Sequence, residues 1–174
     1  MPKLPATLVA TPILLLPSAA WAEKAGGTLR VPLTGNPPSL SIHEESTVMT
    51  IFPMMSVMSN LVIYDQHEPQ NRLDNIRPDL AETWSWSDDG RNLTFRLRQN
   101  VTWHDGKPFS SADVKCTWDM LQGKSETHKL RRNPREIWYH NVNELVADDP
   151  HTVTFRLKRP QPALLALLAS GQSP

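Results

Sequence analysis

The sequence predicts a mixed α/β fold made of short strands and short helices. Two segments, "DGRNLTFRLRQN" at 89–100 and "DPHTVTFRLKRP" at 149–160, alternate apolar and polar residues with period two, as strands do when one face meets a core and the other water. Apolar residues at helical spacing occupy stretches between such segments. Sixteen prolines against seven glycines suit many short elements with rigid connections better than a helical bundle.

Residues 1–22 read as a secretory signal peptide. Lys3 precedes an apolar stretch from Leu8 to Leu16, and the small-residue pattern Ala20-Trp21-Ala22 follows, with cleavage expected after Ala22. A membrane anchor fits less well, because the run falls short of the ~20 residues a bilayer requires and Pro12 and Pro17 interrupt it. The mature region, 23–174, then opens with "GTLRVPL", whose Leu29, Val31 and Leu33 share one face of an expected strand over 27–33.

Residues 47–62 set Val48, Phe52, Met55, Met58 and Val62 near helical spacing, with Pro53 either starting or kinking that helix and the methionines expected to fill core gaps. In the first alternating segment, the turn Asp89-Gly90 leads to Leu93, Phe95 and Leu97 facing inward and Thr94, Arg96 and Arg98 facing water. A helix starts at Ser110, with Asp113 completing a capping-box pattern; Val114, Trp118 and Leu121 then fall at i, i+4 and i+7, which makes Trp118 a core anchor. "QGKSETHKLRRNPRE", residues 122–136, is polar, basic and aperiodic. It reads either as a solvated connection or as a loop that attracts an anionic ligand through Arg131, Arg132 or Arg135.

"NVNELVADDPHTVTF" predicts a hairpin turned by Asp148-Asp149-Pro150, its second arm placing Val153, Phe155 and Leu157 inward and Thr154, Arg156 and Lys158 outward. A short helix from Pro162 through "ALLALLAS" closes the pattern, with Gly171 just past its end.

Charge and motif content exclude several function classes. Eighteen basic residues balance eighteen acidic ones, so nothing in the composition selects nucleic acid as a partner. Cys116 stands alone, which rules out an internal disulfide and predicts a semi-buried structural thiol. The histidines, at positions 43, 67, 104, 128, 140 and 151, lack metal-ligand spacing, and neither a nucleophile elbow, a phosphate-binding loop nor a dinucleotide fingerprint is present. Neighbouring carboxylates such as Glu44-Glu45 and Asp88-Asp89 point in different directions instead of converging on one bond. His104-Asp105-Gly106 is explained more simply by a turn, with Gly supplying positive φ, than by catalysis. No catalytic residue, metal or cofactor is therefore predicted.

"RPDLAETWSWSDDGRNLTFRLRQNVTWHDGKPFSSADVKCTWDML", residues 77–121, resembles the signature region of the family 5 extracellular solute-binding proteins, the peptide-, dipeptide- and nickel-type receptors of bacterial ABC importers. Weaker similarity runs from Gly27 through "NLVIYD" and on to "TFRLKRPQPALLALLA". The resemblance implies the N-terminal part of a two-lobed, periplasmic-binding-protein-like class II fold, broken off before the second lobe, because members of the family are much longer than this chain. It implies a small solute, most simply a peptide, as ligand, and an ABC permease in the inner membrane as partner. It further implies that residues 77–121 are scaffold and that solute contacts come from Thr34, Gly35, Asn36 and Pro37 after the first strand, from Trp138 and Tyr139, and from Gly171. "SLSI" at 39–42 departs from the Ser-Leu-Asp-Pro usual in the family. The alternative is a stand-alone exported interaction module that reuses this strand-rich subdomain without a transport role.

Overall fold

The computed structural model describes residues 26–173, so the expected signal peptide lies outside the described residues. The chain divides into Met1–Pro32 and Leu33–Pro174. In the first unit, residues 26–32 are exposed and form no regular element. The strand expected over 27–33 is thus absent, and Leu29 and Val31 are 88% and 55% exposed. Ladder hydrogen bonds hold a strand, and none of the described strands pairs with this segment.

The second unit runs α1 (Val48–Met54), β1 (Val62–Tyr64), β2 (Ile76–Pro78), β3 (Ala81–Trp86), β4 (Asn92–Leu97), α2 (Ser111–Leu121), α3 (Glu136–Tyr139), β5 (Val142–Asp149), β6 (Thr152–Leu157) and α4 (Leu164–Leu168). β3, β4, β6 and β5 form one antiparallel sheet in that order, and β1 and β2 form a separate antiparallel pair. The two similar sequence segments are the central neighbours β4 and β6. Their register is symmetric about Thr94 opposite Thr154, with Leu93 across from Phe155 and Phe95 across from Val153. The two threonine hydroxyls meet at 3.0 Å on the outer face. Each segment also closes a hairpin with its outer neighbour, β3 or β5, so the sheet is two similar hairpins joined at the middle.

Alternation puts Leu93, Phe95, Leu97, Val153, Phe155 and Leu157 on the inner face, all buried. α2 covers that face. Its capping box joins the Ser110 N–H to the Asp113 carboxylate at 2.8 Å, and the Ser111 N–H donates to the Pro150 carbonyl at 2.9 Å, which ties the helix start to the β5–β6 turn. Val114, Trp118 and Leu121 then face the sheet, and the Trp118 ring packs edge-on against Phe155 at 4.8 Å and Tyr139 at 4.7 Å. Two residues from both Val114 and Trp118, Cys116 is turned to the opposite side and is exposed, which corrects the semi-buried thiol expected from composition.

The N-terminal helix is shorter than its periodicity suggests. α1 stops at Met54, one residue past Pro53, and Val62 belongs to β1. Its buried residues are Thr50 and Ile51, while Val48, Phe52, Met55 and Met58 are at least 40% exposed. Those methionines fill no core gap: both stay exposed, with Met55 beside Gly171. β3 shows only partial alternation in sequence because a register shift lies between Ala81 and Thr83, leaving Trp84 and Trp86 half-buried. α4 buries Leu164, Leu165 and Leu168 and carries the chain back to β1, where the Tyr64 hydroxyl donates to the Ala166 carbonyl at 3.2 Å.

Trp118→Ala is expected to cost about 3–5 kcal/mol, the range for removing a fully buried large aromatic, whereas Leu29→Ser changes stability by less than about 0.5 kcal/mol. Chemical denaturation of the two variants checks both.

Candidate functional site

Of the residues expected to meet a solute, Thr34, Gly35 and Gly171 lie near α1, in contact with its methionines or the one that follows it, while Trp138 and Tyr139 do not. Thr34, Gly35 and Asn36 are exposed and Pro37 is half-buried. The Thr34 hydroxyl lies 3.9 Å from the Met49 sulfur, near the start of α1, and a Cβ on Gly35 would also stand 3.9 Å from that sulfur. Thr50, in the same helix, donates through its hydroxyl to the Ser39 carbonyl at 2.7 Å and so pins the chain just beyond Pro37.

Gly171 lies at the other end of α1. A Cβ there would come 2.5 Å from the Met55 methyl carbon, so the close approach of the two segments requires glycine unless Met55 moves. The Asn60 side-chain amide donates to the Ser170 carbonyl at 2.9 Å, and the Asn60 N–H donates to the Asp79 carboxylate at 2.8 Å. These groups border a cavity of about 500 Å³ whose lining includes Met55, Met58, Asn60, Tyr64, Asp79 and Gly171.

Trp138 and Tyr139 sit on α3, away from the exposed loop at 34–36. Tyr139 is 4% exposed, with its ring against Trp118, and half-buried Trp138 packs edge-on against it at 6.5 Å. The phenol hydroxyl lies beside the Arg135 guanidinium and the Ser173 hydroxyl, two residues beyond Gly171. Burial pushes the phenol's pKa up, against the opposing influence of Arg135. The fold therefore brings Tyr139 close to the segment after Gly171, while Thr34 and Gly35 remain at the far end of α1.

Sequence reasoning did not find the ion-pair clamp that holds this region together. The Glu44 carboxylate accepts the Arg131 N–H at 2.8 Å and the Arg131 guanidinium at 3.4 Å. Arg132 donates to the Glu44 carbonyl at 2.8 Å and pairs with the Glu45 carboxylate. Arg135, 4% exposed, donates to the Glu45 carbonyl at 3.0 Å. The polar loop is thus fastened to residues 44–45, neither freely solvated nor simply open to an anion at Arg131 and Arg132. Glu44 and Glu45 do diverge, each to a different arginine. Their separation of 87 residues from those arginines left no local signal to read.

The clamp sets the local electrostatics. Hydrogen bonds from the Arg131 backbone and side chain hold the Glu44 carboxyl below its ordinary value, and Glu44 in turn raises Arg131. Burial lowers both His43 and Arg135, and the nearby Arg135 charge lowers His43 further. His104 and Asp105 lie in an exposed turn in which the Asp105 carboxylate accepts the Lys107 N–H at 3.1 Å and pairs with its ammonium at 2.7 Å; Gly106 has φ 83°.

Comparison with known proteins assigns this arrangement to a family. Residues 75–174, 100 of the 174, match the family described as bacterial extracellular solute-binding proteins, family 5 Middle. The chain belongs to the family 5 extracellular solute-binding proteins. The dipeptide-binding protein of Escherichia coli K12 is 36% identical over 106 residues, covering 54% of this chain and 20% of that protein. The glutathione-binding protein GsiB of Escherichia coli O6:K15:H31 is 30% identical over 155 residues, or 89% of this chain and 28% of the relative. Among solved structures, NikA from Brucella suis in complex with Fe(III)-EDTA superposes with a TM-score of 0.61 at 30% identity, over 78% of this chain and 25% of NikA. This family 5 chain therefore spans between a fifth and just over a quarter of the length of these relatives. Its mixed α/β architecture is that of the family over the shared portion.

The depressed pKa values give this family member an acid-sensitive side. A group whose folded pKa lies below its unfolded value contributes stability above the unfolded value and loses it as pH falls toward the folded one. For His43 the loss starts as pH drops through about 6.5, for Glu44 through about 4.5, and for Asp65, Asp89, Asp105 and Asp149 through about 3.8. Urea denaturation of His43→Asn is expected to show a flatter stability profile between pH 7 and pH 5 than the parent chain, with the carboxylate-linked loss below about pH 4.5 unchanged.

Proposed function

We propose that this chain is part of the periplasmic receptor of an ABC importer, that it binds a small peptide-like solute, and that it hands the solute to an inner-membrane permease. Membership of a solute-binding family across residues 75–174 carries the reading. Relatives named for dipeptide and glutathione binding support a peptide-like ligand. The apolar stretch Leu8–Leu16 with Ala20-Trp21-Ala22 supports export. We assign solute contact to the region around α1: Thr34, Gly35, Asn36 and Pro37 at one end, Gly171 at the other, and Trp138 and Tyr139 as the ring pair behind the clamp.

The exposed apolar side chains of Val48, Phe52, Met55, Val57 and Met58 support the same assignment. Apolar residues gathered on one face mark a surface that is covered in function, here by the solute and the remainder of a receptor. A cleft closed from two sides buries most of a small ligand, and on this reading residues 23–174 contribute one of those sides.

Two measurements test the reading. Disrupting the gene is expected to abolish uptake of at least one member of a panel of labelled di-, tri- and oligopeptides; unchanged uptake across the panel would refute an import role. Titration of residues 23–174 with the same peptides is expected to give weak or undetectable binding. A low-micromolar dissociation constant would show that this portion forms a complete site.

A further inference from the structure

Where α2 ends, Gly123 at φ 68° reverses the chain, and the Lys124 N–H donates to the Asp119 carbonyl at 2.7 Å. The Lys124 ammonium then donates to the Asn143 carbonyl at 2.8 Å, while the Gln122 side-chain amide donates to the Val142 carbonyl at 2.8 Å. From just beyond β6, the Lys158 N–H donates to the Asn141 carbonyl at 2.9 Å and its ammonium to the His140 carbonyl at 2.8 Å. Both lysines are thus fastened to the short segment 140–143, which runs from the end of α3 into β5.

Lys124 and Lys158 line the same cavity, of about 440 Å³, together with Glu136, His140 and Asn143. All five residues are exposed, so the cavity opens to water. Lys107 and Lys115 pair with the carboxylates of Asp105 and Asp119 at 2.7 and 2.6 Å, but among the described residues no carboxylate pairs with Lys124 or Lys158. The Glu136 carboxylate lies instead 3.7 Å from His140 Nε2. A carbonyl takes one of an ammonium's three N–H groups and none of its charge, which leaves each lysine two donors and a full positive charge. Two like charges facing one cavity repel, and an anion between them relieves the repulsion. A free surface lysine also loses rotamer freedom when it grips an anion; here the carbonyls of His140 and Asn143 have already fixed both side chains.

We propose that Lys124 and Lys158 form a binding site for a small oxyanion, a carboxylate or a phosphate group, in the open cavity between the end of α2, α3 and the start of β5. The site goes beyond the receptor reading and does not rest on it, since neither lysine is among the residues assigned to solute contact. Glu136 faces the same space and opposes an anion there, which holds the affinity in the millimolar range.

The test follows the backbone amides of residues 122–124 and 140–143 by NMR at pH 7 while sodium phosphate, or in a second series sodium acetate, replaces sodium chloride at constant ionic strength. Saturable shifts at these amides are expected, half-complete at millimolar anion. Lys124→Met and Lys158→Met should each weaken binding by roughly threefold, the upper part of the range for one exposed ion pair, and the double variant should abolish saturation. Glu136→Gln, which removes the opposing charge, should tighten binding by a similar factor. Saturation by phosphate alone supports the site and assigns it to a phosphate group; saturation by both anions supports it and assigns it to carboxylates as well. Amides that stay still in both series overturn the site, as does saturation that persists in the double variant. If the double variant does not fold, an affinity unchanged in Glu136→Gln overturns it.

Discussion

Burial of the β4–β6 pair beneath Trp118 is the interaction on which the rest of this structure depends. Leu93, Phe95, Val153 and Phe155 are completely buried, and Trp118 is 1% exposed against them. Because β4 and β6 are the central strands, their packing positions β3 and β5 as outer neighbours, which add Ala81, Val142 and Leu145 to the same core. The same indole, edge-on to Tyr139, fixes α3 and thereby the end of the loop that carries Arg131, Arg132 and Arg135. One apolar contact thus connects the scaffold to the polar region 87 to 90 residues earlier in the chain.

The two sides of the molecule are held by different physics. Around the sheet, aromatic and aliphatic side chains leave no accessible surface, and close packing makes the register unique. Within α1 only Thr50 and Ile51 are buried, and the segment before the helix, where Ile42 and Glu45 are buried, is held by the Thr50–Ser39 hydrogen bond and the Glu44–Glu45 clamp. The Arg131–Glu44 and Arg132–Glu45 pairs set exposed guanidiniums against carboxylates that are only 14% and 7% exposed, so salt screens them in part.

The densest motif of the sequence carries no cluster of reacting groups among the described residues. The His104–Asp105 turn, which an enzyme reading would have used, is an exposed loop whose carboxylate is engaged by Lys107. The chemistry in the described residues lies instead where segments distant in sequence meet, at Glu44, Glu45, Arg135, Tyr139 and Ser173.

By itself the sequence determined the elements whose pattern is local. Period-two alternation placed Leu93, Phe95, Leu97, Val153, Phe155 and Leu157 inward, and the Ser110–Asp113 cap with helical spacing placed Trp118 in the core. The dense motif over 77–121 carried the family. Tertiary structure decided whatever needed a distant partner. It left 27–33 without a strand, because a strand exists only with a neighbour to complete its hydrogen bonds; it exposed Phe52 and Met55, because apolar spacing describes a face and not what covers it; and it turned Cys116 to water. Of the candidate site, the sequence named Tyr139 and Gly171 separately, but the pairing of Glu44 and Glu45 with Arg131 and Arg132, and the burial of Arg135 beside Tyr139 and Ser173, arise only when the chain folds back on itself. Charges that attract across 87 residues leave no periodicity along the chain, and only the packed scaffold brings them within a few ångströms.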